Sequence, residues 1–367
     1  MNKYPKINYI GNKAKLVDWI IENLPVKKGV VLDIFSGGSS VSYALKNNNY
    51  QVLSNDVLYS NYVISKAIIE NNETKLDDSV FDIKITEKEV EKKYKQINFL
   101  SNRLYFDEEV KELAKLICIS EKLEGYEKKM FLDGEAKILN RQITSVANAV
   151  DSINEYEKYM FLALIRRAMI RKLPYSRMNV PWNQIVKLRD EEYSYMKYKR
   201  KRAYHNYTFE VHMRDNLKNY NDSVFDNGKN NISYNYDSFE MLKNLKDQVD
   251  IIYMDPPYPK TMNKYGEFYG LFDTIFEKEK QYIDFSANDK FLENMEKLIK
   301  DCIGKTKYIV ISQSNKTSPS VEEMKEMLSK YGQVTLKAKD HQYKVTGKDN
   351  KNTTVEVLII VKLKNEI

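Results

Sequence analysis

Seven short apolar runs constrain this chain more than anything else in it: GVVLDIF, YQVLSND, NISYNYD, VDIIYMD, KYIVISQ, QVTLKAK and TVEVLIIVKL. Each has the length of a β-strand, and segments with helical periodicity lie between them. Lys13 to Leu24 sets Leu16, Trp19, Ile20 and Leu24 on one helical face, and Ser39 to Asn47 and Tyr59 to Asn71 follow as helices. Later helices are expected near Ser238 to Lys246, Asp289 to Cys302 and Pro319 to Lys330. Short strands alternating with helices predict a mostly parallel sheet covered on both faces, an α/β fold.

The alternation stops between about Asn72 and Lys229. Charged helical segments (Glu87 to Leu100, Asp107 to Lys122, Ile153 to Lys172) lead there into a basic, tyrosine-rich stretch that ends near Arg214. The economical organisation is one α/β domain built from residues 1–71 and 230–367, interrupted by a largely helical insertion over 72–229. Between Arg166 and Arg214 stand thirteen Lys and Arg against four acids. That local surplus exceeds the net charge of the whole protein, +7. Such a stretch suits a polyanion, although a solvated basic face would look the same.

Other bulk features exclude whole classes. Two cysteines, Cys118 and Cys302, make neither a disulfide framework nor a zinc spacing. His205 and His212 lack a third ligand at a suitable spacing, so no metal is expected. The start, MNKYPKINYIGNK, lacks the apolar core of a signal peptide, and no run reaches transmembrane length. The expectation is a soluble cytoplasmic protein with no membrane partner.

Three strand ends carry the chemistry. In LDIFSGGSS the first strand ends at Asp33, and Gly37 and Gly38 allow close backbone approach before a helix begins. A dinucleotide fingerprint would need a third glycine where Ser39 stands, so a nicotinamide enzyme is disfavoured. Asp56 closes the second strand, where an acid suits ribose hydroxyls; it is equally a turn former. The third end reads DPPY, Asp255 to Tyr258. Two prolines fix φ and remove two donors, leaving carbonyls near the strand end to accept from elsewhere. A carboxylate, a free carbonyl and an aromatic plate fit a planar ring bearing an exocyclic amine. Ligands of open parallel sheets bind at these carboxyl ends.

With YIGNK (Tyr9 to Lys13), DIFSGG and DPPY in that order, the sequence resembles the alpha class of N6-adenine DNA methyltransferases, in particular those of type II and IIS restriction systems. RKLPYSRMNVPW and SNDVLYSNYVISKA resemble segments of that class more loosely. The resemblance implies a Rossmann-like S-adenosylmethionine-dependent methyltransferase fold with a mostly parallel seven-stranded sheet, and a helical target-recognition domain inserted in it. It implies that Tyr9, Gly11, Lys13, Asp33, Phe35, Gly37, Asp56, Asp237 and Asp255 bind S-adenosylmethionine. Asp255, Pro256, Pro257 and Tyr258 would hold a flipped-out adenine, with Tyr258 stacking on it. Arg171, Lys172, Arg177 and Arg189 are the expected DNA-facing residues. The partner implied is double-stranded DNA, met by a monomer, with a cognate restriction endonuclease acting separately. The alternatives are an RNA adenine methyltransferase, a cytosine-N4 enzyme and a non-catalytic DNA-binding homologue.

Overall fold

A computed structural model describes residues 2–123, 143–199, 203–259, 264–286, 290–341 and 354–364. The basic residues Arg200, Lys201 and Arg202, and Asp289 at the start of an expected helix, lie outside the described residues. The chain divides into two compact units. One comprises Gly11–Ser65, Asn227–Gly266 and Glu279–Ile367; the other comprises Met1–Ile10, Lys66–Asp226 and Glu267–Lys278.

The first unit holds all seven expected strands: β1 (Val30–Asp33), β2 (Gln51–Asn55), β3 (Ile232–Tyr234), β4 (Val249–Met254), β5 (Thr306–Ser314), β6 (Gly332–His341) and β7 (Thr354–Leu363). They form one sheet in the order β3-β2-β1-β4-β5-β7-β6. β1 runs parallel to β2 and β4, β2 to β3, and β4 to β5, while β7 is antiparallel to both its neighbours. The order reverses beside β1: the chain steps outward to β2 and β3, then returns to place β4 on the other flank. Such a switch opens a crevice at the carboxyl ends of β1 and β4.

Alternation along the strands allots residues to the two faces. Leu32, Ile252 and Ile309 pack into an apolar cluster with Met241, Met295 and Met324 from the helices Ser238–Asn244, Phe291–Cys302 and Val321–Ser329. Their neighbours in sequence point the other way, and there the helix Ser40–Asn47 covers the sheet: its Ser42 donates to Asp33 of β1 at 2.7 Å. The sheet is therefore clothed on both sides, as the runs of apolar residues require.

The second unit is helical. Its longer helices are Glu87–Ile97, Asp107–Leu123, Ile143–Arg171 and Phe209–Asn221. Thr86 opens the first of these with a reciprocal capping box: its hydroxyl accepts from the Glu89 N–H, and the Glu89 carboxylate accepts from the Thr86 N–H. Two short helices, Trp182–Arg189 and Glu191–Tyr198, occupy the tyrosine-rich stretch for which no regular structure was expected.

Candidate active site

Asp33 is 1% exposed at the end of β1. Its Oδ2 accepts from Ser42, and its Oδ1 has no hydrogen-bond partner. Burial pushes its carboxyl up to about 7; the Ser42 hydroxyl opposes that, and the charges of Asp255 and Asp56 add to it. A buried carboxylate with one idle oxygen is a receptor for a cation.

The turn after Asp33 solves the missing-glycine problem in an unexpected way. Gly37 takes φ 51° and Ser39 takes φ 62°, ψ 24°, so the serine itself adopts the left-handed conformation a glycine would take. For a residue with a Cβ this costs about 1 kcal/mol. The Ser39 hydroxyl recovers part of that cost by bonding the Ser65 hydroxyl at 2.7 Å. Phe35, half-buried, sets its ring edge-on to Phe285 at 5.4 Å.

Asp56 braces the same turn. One oxygen accepts from the Gly37 N–H at 2.8 Å and the other from the Leu58 N–H at 2.9 Å. The turn-forming role is therefore realised. Asp237 likewise caps a helix, accepting from the Phe239 N–H at 2.9 Å and the Ile283 N–H at 3.2 Å.

Asp255 follows β4 and is gripped by Lys13, whose Nζ lies 3.0 Å from Oδ1 and 2.8 Å from Oδ2. Burial raises its pKa and the Lys13 ammonium opposes the rise. Gly11, at φ 84°, turns the chain two residues before Lys13. Pro256 is buried and Pro257 half-buried, just past the end of β4. No hydrogen bond among the described residues takes up the Pro256 carbonyl.

Two groups of expectations need correction. The stacking face expected of Tyr258 is covered: the ring is 6% exposed, packs on Phe291 at 5.3 Å, and its hydroxyl donates to the Ser312 carbonyl at 2.8 Å. Among the four expected DNA-facing residues, Lys172 and Arg189 are buried. Arg189 makes two bonds to Glu109, at 2.8 and 2.6 Å, and Lys172 reaches the same carboxylate at 2.8 Å. Burial raises the Glu109 pKa, yet the two cations together hold it below the usual range. These two charges are spent inside the helical unit, and phosphate cannot reach them. Arg171 and Arg177 are half-buried, with Arg171 over the Tyr204 ring at 4.1 Å and Arg177 over Phe268 at 5.3 Å.

In the helical unit Tyr9 stacks on Tyr269 at 4.9 Å, with the Arg166 guanidinium 5.0 Å from the Tyr269 ring. Exposed cations that charge counting did not single out lie nearby in sequence: Lys187 and Lys197 both sit over the Tyr193 ring, at 4.7 and 5.6 Å. Tyr175, 47% exposed, has φ 62° beside Ser176 at φ 56°.

Three carboxylates at the carboxyl ends of β1, β2 and β4, around a topological switch, define a methyltransferase-type α/β site. The family model of D12 class N6 adenine-specific DNA methyltransferases matches residues 9–345, and the chain belongs to that family. It is 41% identical over 363 residues to the type II methyltransferase M2.HphI of Haemophilus parahaemolyticus, covering 98% of both chains. It is 22% identical over 368 residues to M.NlaIII of Neisseria lactamica, covering 94% of this chain and 95% of the relative. Against the modification methylase StsI of Streptococcus sanguinis the identity is 24%, over 89% of this chain and 46% of the longer relative. The enzyme is thus an adenine-specific DNA methyltransferase, and nothing favours the RNA, cytosine or non-catalytic readings.

Proposed function

We propose that the chain transfers a methyl group from S-adenosylmethionine to the N6 amine of a flipped-out adenine within a defined sequence of double-stranded DNA, as the modification enzyme of a type II restriction–modification system. The observation that carries this reading is the acceptor pair at the end of β4: the Asp255 carboxylate and the open carbonyl of Pro256. Two N–H bonds of an exocyclic amine match two acceptors. A cognate endonuclease acts separately on the same sequence, in the cytoplasm, and the methyltransferase works as a monomer.

S-adenosylmethionine fits the residues present. The idle, buried Oδ1 of Asp33 suits its ammonium group, and an acid just beyond β2, Asp56, suits its ribose hydroxyls. Gly11, Lys13, Phe35 and Gly37 shape the methionine end, and Asp237 serves the adenine end. When bound, the cofactor supplies an electrophilic methyl group on a sulfonium.

The protein's part is positioning and charge. Flipping the base costs a few kcal/mol of unstacking. Asp255 and the Pro256 carbonyl accept the N6 hydrogens and so orient the nitrogen lone pair outward; Pro257 keeps the segment extended. As N6 gains positive charge on methylation, the Asp255 carboxylate stabilises it. Lys13 keeps that carboxylate ionised against the cost of its burial. The extra proton then leaves N6, with Asp255 the nearest acceptor. Tyr258 anchors the segment after Asp255 in the core through Phe291 and the Ser312 carbonyl.

The catalytic domain is assigned to residues 1–71 and 230–367 and target recognition to 72–229. DNA contact falls to Arg171, Arg177, Lys187 and Lys197, with the exposed Tyr175 on its strained turn. The test is transfer of labelled methyl from S-adenosylmethionine into unmethylated genomic DNA, with nucleoside analysis, for the wild type and Asp255→Ala. Label in N6-methyladenine that is lost in the variant is expected. Label in another nucleoside, or undiminished by Asp255→Ala, refutes the reading.

A further inference from the structure

Beneath the cofactor turn lies a line of buried hydroxyls. Ser42 Oγ is 2.7 Å from Asp33 Oδ2 and 3.2 Å from Ser54 Oγ. Ser54 Oγ is 2.9 Å from Ser65 Oγ, which in turn lies 2.7 Å from Ser39 Oγ and 3.5 Å from Ser36 Oγ. All five serines are buried, none above 8% exposed. They come from four places in the chain: the turn itself, the helix Ser40–Asn47, β2, and the helix Tyr59–Ser65.

Interior positions on strands and helices normally carry apolar side chains, because a buried hydroxyl must find a partner or cost free energy. Here each hydroxyl finds its partner in the next. The line has one charged end, Asp33, and its other end is the residue held in the left-handed conformation where a glycine would be cheaper. Ser39 closes one end of the line, and Asp33 stands at the other.

We propose that Ser42, Ser54, Ser65 and Ser39 are positioning residues for the cofactor: the hydroxyl line holds Asp33 as an oriented carboxylate, with Oδ2 satisfied from within and Oδ1 reserved for the ammonium group of the methyl donor. The proposal rests on the reading of S-adenosylmethionine as that donor. The charged groups around Asp33 make such help necessary. Asp255, beyond β4, and Asp56, beyond β2, both oppose its ionisation, and the Lys13 ammonium is engaged by Asp255. The Ser42 hydroxyl is the larger of two interactions that favour the charged form, the other being the Ser42 backbone N–H. Ser42 has one proton, which points toward both Asp33 Oδ2 at 2.7 Å and Ser54 Oγ at 3.2 Å; the shorter bond to the carboxylate takes it, and the farther serines act by fixing where Ser42 stands.

The test has two readouts. The first needs no cofactor: carboxyl-carbon NMR of aspartate-labelled protein follows the Asp33 titration in the wild type, Ser42→Ala and Ser42→Thr. Removing the hydroxyl moves the Asp33 midpoint up by about one pH unit, and threonine restores it. The second is calorimetric binding of S-adenosylmethionine between pH 6 and 9. Ser42→Ala weakens binding about tenfold at pH 8 and shifts the fall in affinity to higher pH; the loss appears in the cofactor KM rather than in kcat. Ser42→Cys, which keeps a side chain of similar shape but a much weaker donor, gives smaller changes of the same sign and carries the test should Ser42→Ala not fold. A Ser42→Ala or Ser42→Cys protein with the wild-type midpoint and affinity overturns the proposal. Wild-type protein that titrates at Asp33 but does not bind S-adenosylmethionine overturns the cofactor reading, and the ammonium assignment with it.

Discussion

Replacing Lys13 with methionine would keep the apolar stem and remove the ammonium that faces both oxygens of Asp255. The side chains of the pair are 12% and 23% exposed, so the contact lies between two regimes. Exposed pairs contribute at most about 1 kcal/mol, while stripping one partner from a buried pair costs about 3–5 kcal/mol. An intermediate loss of about 2 kcal/mol is expected at pH 8.5. The pH dependence has a definite sign. Burial already holds the Asp255 pKa above its ordinary value with Lys13 present, so the folded state binds more protons than the unfolded one, and stability falls as pH rises toward the folded pKa. Without Lys13 that pKa rises further and the fall continues to higher pH. The penalty therefore shrinks at pH 5.5, where Asp255 takes a proton in place of its lost partner. Urea unfolding followed by tryptophan fluorescence at the two pH values measures this, and adding Asp255→Asn to the variant should restore most of the stability without restoring methyl transfer. Equal stability of the variant and wild type at pH 8.5, or the same loss at both pH values, would refute the account of the pair.

Two further outcomes follow from buried charge. Asp33→Asn relieves the cost of ionising a carboxyl held near 7, so cofactor-free protein should gain about 2 kcal/mol at pH 8.5 and little at pH 5. It should also lose the stabilisation that S-adenosylmethionine gives in a thermal-shift assay; a preserved cofactor shift would remove Asp33 from the site. Arg189→Ala leaves Glu109 with Lys172 alone and strips a donor from the His205 carbonyl, so unfolding should become easier by about 3 kcal/mol. DNA affinity measured by gel shift on the folded variant should stay at the wild-type level. Intact stability with weakened DNA binding would return Arg189 to the DNA-facing surface.

The sheet was legible because apolar runs of strand length report burial on two faces, and each of the seven became a strand. The acids at three strand ends were legible for the same reason, since a strand's end fixes where its next side chain stands. Charge counting failed at Lys172 and Arg189. A cation's sequence neighbours do not reveal a carboxylate eighty positions away, and Glu109 lies on a helix whose packing no local pattern shows. The short helices over 182–198 were missed because each spans only about two turns, and the second, Glu191–Tyr198, has no aliphatic residue but Met196 to mark a period. Tyr258 was expected at a pocket wall from its motif alone; its burial depends on Phe291 and Ser312, which only the packed sheet brings beside it. The serine line was hidden too, since a serine on a buried face looks like any small residue until its neighbours in space are known.

The strand order also sets a timetable. β1 is flanked on one side by β2, close in sequence, and on the other by β4, with Val30 bonded to Asp250 from 220 positions away. At roughly 5–20 residues per second, ribosomal synthesis leaves that flank of β1 open for about 10–40 s. Val31 and Leu32, wholly buried in the finished sheet, must wait through the making of almost the entire helical unit. An unpaired apolar strand edge held open for that long is a site for association between nascent chains. Yield of this enzyme in a cell should therefore be governed by chaperone capacity during synthesis, largely independently of how stable the completed fold is.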